Sequence, residues 1–153
     1  MDIEKEKIIN NCNKKFNSCY YSSFVFIINL ILAYYYEYYL YSSLFALLFT
    51  TSLIHHSTYT IYINILDKIA ICLIVFYGGW LFYNKLIKMS NFNINNLVII
   101  VIIITTFLST IYLYFYGYLY NNYCYCDDKI ISNYYHSFLH VLSSLGHICI
   151  ICL

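Results

Sequence analysis

From Leu97 to Leu108 the chain reads LVIIVIIITTFL without a charge, and the stretches Phe24 to Ala33 and Ile148 to Leu153 are almost as continuous. A soluble amphipathic helix needs a polar face turned to water, and these runs have none. They approach the ~20 residues that carry a helix across a hydrocarbon layer ~30 Å thick. The whole chain of 153 residues is 62% hydrophobic and 10% charged, with no proline. A soluble domain carries about 25% charge. The expectation is an all-α, multi-span transmembrane helix bundle.

Polar breaks divide the chain into a polar N-terminal tail, Met1–Cys19, and a single transmembrane domain from residue 20 to residue 153. Five spans are expected in that domain: Tyr20–Tyr36, Tyr39–His56, Leu66–Tyr83, Asn96–Tyr118 and Tyr134–Cys152. The break at Glu37 is short enough to make the first two spans a tight hairpin, whereas Lys85–Asn95 and Leu119–Asn133 are longer polar connections. The tail is mixed in charge and lacks a compact apolar stretch with a small-residue cleavage site, so the first span is expected to serve as the insertion signal and to stay. Lys5, Lys7, Lys14, Lys15, Lys68 and Lys129 fall on one side of such a bundle and Lys85 and Lys88 on the other. By the positive-inside rule the N-terminus is cytoplasmic and the C-terminus lies on the opposite face.

A formal charge of +1 leaves no basic patch dense enough to hold phosphates, which argues against a nucleic-acid partner. The 21 tyrosines, the lysines and the absence of arginine are also what an AT-rich coding sequence produces. Cys72, Cys149 and Cys152 lie in apolar segments and are expected to be small buried hydrophobes. Cys124 and Cys126 form a Cys-x-Cys pair in a polar loop, which by itself is a weak metal or redox signal.

Ionisable and polar residues inside spans are costly, so each one is a functional candidate. Ser52 and His56 are four apart near the end of the second span and share a helix face. Asp67 opens the third span, and His136 and His140 stand one turn apart where the fifth begins. Counting spans puts all five residues at one membrane depth, on the cytoplasmic side. Three neutral imidazoles from two helices suit a tetrahedral zinc ion with its fourth position open to water. A nearby carboxylate such as Asp67 can act as general base, and Ser52 can hydrogen-bond the water or a substrate oxygen. Taken singly, each residue has a plainer reading: a histidine that bonds to a neighbouring helix, or a serine that satisfies a backbone carbonyl. His55 points about 100° away from His56 and is expected to be an interfacial neighbour. His147 returns to the face of His140 about 10 Å further along, where it either lines a cavity or packs against another span.

The pattern S-x-x-x-H at Ser52 and His56, Asp67 opening the next helix, and H-x-x-x-H at His136 and His140 resembles the CREST superfamily of membrane hydrolases. That superfamily includes the alkaline ceramidases, the progestin/adiponectin receptors and the hemolysin III-like proteins. The segment Ser52–Ile71 and the run HSFLHVLSSLG from His136 are closest to the ceramidase branch. The resemblance implies zinc held by His56, His136 and His140, with Ser52 and Asp67 as catalytic groups. It implies hydrolysis of a lipid amide such as ceramide, drawn from the bilayer, to a fatty acid and a sphingoid amine. Two departures stand out. The superfamily has seven spans against the five counted here, and the acidic, tryptophan-containing calcium-binding segment of ceramidases has no counterpart in Asp2, Glu4 and Glu6. A non-enzymatic receptor-like or hemolysin III-like protein with structural zinc is the competing reading.

Overall fold

Lysine-poor apolar runs leave the backbone no water to bond with, so its N–H and C=O groups must be satisfied within helices. In a computed structural model, which describes residues 18–58, 60–90 and 93–153, the described residues are helical with no strand. Met1 to Asn17 of the expected tail lie outside the described residues, whereas Ser18 and Cys19 already belong to a helix. The elements are α1 (Ser18–Ser22), α2 (Val25–Tyr35), α3 (Tyr39–Thr58), α4 (Ile61–Lys88), α5 (Ile94–Ile111), a π-helical turn (Tyr112–Tyr116), α6 (Gly117–Tyr120), a 3₁₀ turn (Tyr123–Tyr125) and α7 (Lys129–Cys152). Together they make five long rods, since α1 with α2, and α5 with the turns that follow it, each form one.

Four of these rods, Ser18–Tyr35, Ile61–Lys88, Ile94–Tyr125 and Lys129–Cys152, are long and apolar enough to cross a membrane. The fourth-longest, α3, has 20 residues, or ~30 Å at 1.5 Å per residue, but its serines, threonines and histidines make it less apolar than the rest. Its buried residues Tyr41, Phe45, Leu48, Ser52 and His56 fall at helical spacing on one face. Outward hydroxyls on the same helix are satisfied locally: Ser43 donates to the Tyr39 carbonyl at 2.9 Å and Thr50 to the Ala46 carbonyl at 2.8 Å.

Helix ends explain why three rods run longer than the hydropathy pattern. Asp128 caps α7 by accepting from the Ile130 and Ile131 amides at 2.8 and 3.3 Å, so the helix starts before Tyr134. Asn93 caps α5 through the Asn96 amide at 2.8 Å. In α4 the helix begins at Ile61, which places Asp67 nearly two turns inside it instead of at its opening. The first rod is not continuous: turn residues Ser23 and Phe24 separate α1 from α2.

Packing proceeds along the chain, with α3 between α2 and α4, while α7 lies against α1, α2 and α5. The surface of the bundle is apolar, with Phe76, Trp80, Val101 and Phe107 all exposed, and its interior holds Asn29, Ser42, Ser52, Asp67, Thr106, His140 and Ser144. Apolar outside and polar inside is the distribution expected when lipid is the solvent, and the chain is a multi-pass membrane protein by its helices. Asn29 and Ser144 tie α2 to α7: the Asn29 amide donates to the Ser144 carbonyl at 3.0 Å, and the Ser144 hydroxyl donates back to the Asn29 side-chain oxygen. A Cβ on Gly146 would stand 2.6 Å from the Thr106 hydroxyl, so the missing side chain lets α5 approach α7.

The hairpin between α2 and α3 closes as expected at Glu37. The Glu37 amide donates to the Tyr34 carbonyl at 3.0 Å and the Tyr38 amide to the Ala33 carbonyl at 2.8 Å, the double bond of a Schellman ending. That ending puts Glu37 at φ 63°, in the left-handed region that costs a residue with a Cβ about 1 kcal/mol. Glu37→Gly is therefore expected to leave the fold unchanged and to stabilise it by up to about 1 kcal/mol, part of the gain being offset by the freer unfolded chain. Thermal unfolding in detergent checks this, and a lower midpoint for the variant would contradict it.

Candidate metal centre

The up-and-down course of the rods brings the end of α3, the start of α4, the start of α7 and the break between α1 and α2 to one end of the bundle. His56 enters from α3, His136 and His140 from α7. The ring centroids of His136 and His140 lie 4.9 Å apart, those of His56 and His136 5.2 Å, and those of His56 and His140 5.4 Å. One ligand nitrogen from each ring falls within 4.8 Å of the other two. A tetrahedral ion with metal–nitrogen bonds of 2.0–2.1 Å holds its ligand nitrogens about 3.3 Å apart, so ring rotations of an ångström or so complete the cradle. The three residues together can hold a metal ion, and an all-imidazole set suits zinc, copper, iron or nickel.

His56 and His140 are 6% and 9% exposed, while His136 is half-buried and the most open of the three. Phe26 stands against the His140 ring at a centroid distance of 5.1 Å. Around the triad lies a second layer of hydroxyls and one carboxylate. The Ser22 hydroxyl meets His140 Nδ1 at 2.8 Å. Ser23 and Ser52 share a hydrogen bond of 2.9 Å. Thr51 donates to Asp67 Oδ1 at 3.1 Å, which joins α3 to α4 directly beside Ser52.

Each of the five residues expected from the sequence is thus at this end. The three histidines converge, Ser52 sits one helical turn from His56 and is 1% exposed, and Asp67 is buried at 6% exposure with Thr51 on one oxygen. His55 stands beside His56 with ring centroids 5.0 Å apart but is not one of the three converging ligands. His147 packs: its Nδ1 is hydrogen-bonded to the Tyr41 hydroxyl, its ring lies on Phe45, and Gly78 of α4 makes room for the pair. None of the three cysteines expected to be buried is fully so: Cys149 is half-buried, and Cys72 and Cys152 face outward, toward the apolar surface where a thiol is as acceptable as in a core. In the polar loop Cys124 is buried and Cys126 half-buried, both as free thiols.

Comparison with protein-family models, with curated proteins and with solved structures gives no match for this chain. The arrangement therefore speaks through its own chemistry. Three residues that the sequence reading passed over, Ser22, Ser23 and Thr51, hold His140, Ser52 and Asp67 in place. The adjacent serines of an otherwise apolar segment were the available signal, and so was a threonine next to Ser52. Which neighbours they serve depends on helix packing that no local pattern encodes.

Proposed function

We propose that this protein is a membrane-embedded, zinc-dependent hydrolase of lipid amide bonds, similar in chemistry to the alkaline ceramidases. The observation that carries the reading is the enclosure of three histidines, one carboxylate and one serine at a single end of an apolar-surfaced bundle. His56, His136 and His140 would hold the ion. Zinc bound there would supply Lewis acidity, polarising the acyl carbonyl and lowering the pKa of a water toward about 7.

The chain's own groups do the rest. Asp67 takes the proton of the attacking water and delivers it to the departing amine nitrogen. Thr51 occupies one lone pair of its Oδ1 and so holds the carboxylate's orientation, while Oδ2 stays available for the proton. Ser52 orients the water or the substrate oxygen from one turn beyond His56. The fatty acyl chain has an apolar medium on every side of the helices, so the lipid approaches sideways from the bilayer instead of from water. The count of lysines orients this end, with Lys68 and Lys129, toward the cytoplasm, together with the N-terminus. A glycosylation acceptor fused after Leu153 should then be modified and one fused before Met1 left bare, and the reverse pattern would overturn the orientation.

The depth of burial of His56 and His140 favours a second reading, in which the ion only ties α3 to α7 in a receptor-like or hemolysin III-like protein. Activity separates the two. Detergent-solubilised protein loaded with zinc is expected to release fatty acid from a panel of ceramides and other N-acyl lipids. Asp67→Asn should lower the rate by about 10²-fold or more while the zinc stays bound. No release by the unaltered protein beyond that of Asp67→Ala would favour the structural role.

A further inference from the structure

The break between α1 and α2 falls at Ser23 and Phe24, at the depth of the three histidines, and the hydroxyls of Ser22 and Ser23 both turn back to one carbonyl. Ser22 Oγ lies 3.0 Å from the Cys19 carbonyl and Ser23 Oγ 2.9 Å from it. A carbonyl only accepts, so it can take the single proton of either serine. At the break the backbone tightens: the Phe24 amide reaches the Tyr21 carbonyl at 3.2 Å and the Phe26 amide the Ser23 carbonyl at 3.1 Å, three residues back instead of four.

That carbonyl leaves both serines able to act as acceptors toward the site. A metal ion on Nε2 needs the lone pair there and the hydrogen on Nδ1, and Ser22, 2.8 Å from Nδ1, can accept that hydrogen while its own proton goes to Cys19. When Ser23 gives its proton to the same carbonyl, it meets Ser52 at 2.9 Å as an acceptor and Ser52 is the donor. The Ser52 oxygen keeps its lone pairs for whatever stands before it.

We infer that the Ser22–Ser23 pair beside the break of the first rod is a positioning element of the metal centre, in which Ser22 holds His140 in the tautomer that offers Nε2 to the ion and Ser23 makes Ser52 an acceptor. This rests on the metal reading of the three histidines. It refines the part of Ser52: the residue orients a water by accepting its hydrogen, instead of donating to a substrate oxygen. A partner of this kind on the far nitrogen of a ligand histidine fixes ring orientation and raises ligand basicity, and its loss typically costs 10- to 100-fold in metal affinity.

The test has two arms. Zinc affinity of the full-length protein in detergent, measured by competition with a chromophoric chelator, should fall about 10- to 100-fold in Ser22→Ala and return toward the starting value in Ser22→Thr, which keeps the acceptor oxygen. A Ser22→Ala variant that binds zinc as the unaltered protein does would overturn the assignment of Ser22. Absence of zinc binding by the unaltered protein would instead overturn the metal reading, and the role of Ser22 with it. The second arm needs no variant: nitrogen-15 spectra of histidine-labelled, metal-free protein should show His140 protonated on Nδ1. Protonation on Nε2 would contradict the inference whether or not Ser22→Ala folds.

Discussion

A polar side chain enclosed by lipid-facing helices has no water to fall back on, and in this protein one helix supplies many of the partners. On α7, His136, His140, Ser144 and His147 recur at three- and four-residue intervals, and the last three face in turn α1, α2 and α3. His140 meets Ser22, Ser144 exchanges hydrogen bonds with Asn29, and His147 bonds to Tyr41. Each bond links α7 to a different part of the N-terminal hairpin, so the register that satisfies one satisfies all. The candidate metal centre is the end of this polar seam where three imidazoles, not two groups, meet.

That seam explains the unusual make-up of α3. A helix with this many hydroxyls and two adjacent histidines would be a poor lipid-facing span, yet it is held between α2 and α4 with Ser42, Thr51, Ser52 and His56 turned inward. Its remaining hydroxyls are satisfied by its own carbonyls. The same reasoning accounts for the glycine at position 146, where a side chain would keep α5 from closing over the seam.

Much of the fold is legible in the sequence because lipid imposes a simple rule: apolar runs of sufficient length become helices, and polar breaks become their ends. The pairs Ser52 with His56 and His136 with His140 are legible for the same reason, since four-residue spacing places both members on one face whatever the packing. Their convergence follows from the parity of the span count. Helix ends are less legible, because Asp128 and Asn93 extend α7 and α5 through capping bonds that hydropathy does not register. The partners of the site are least so: Thr51, Ser22 and Ser23 read as ordinary hydroxyls in apolar segments until the helices are assembled. Burial of Cys72 and Cys152 was expected from their surroundings, but in a membrane an apolar neighbourhood does not distinguish the interior from the lipid face.

His56, His136 and His140 are proposed to bind one ion inside the membrane. X-ray absorption at the zinc edge of the purified, zinc-loaded protein addresses it most directly. The account predicts a shell of three imidazole nitrogens at about 2.0–2.1 Å, completed by one light oxygen ligand. Sulfur at about 2.3 Å, which would move the ion to the cysteines, or a shell of solvent oxygens alone, would contradict it.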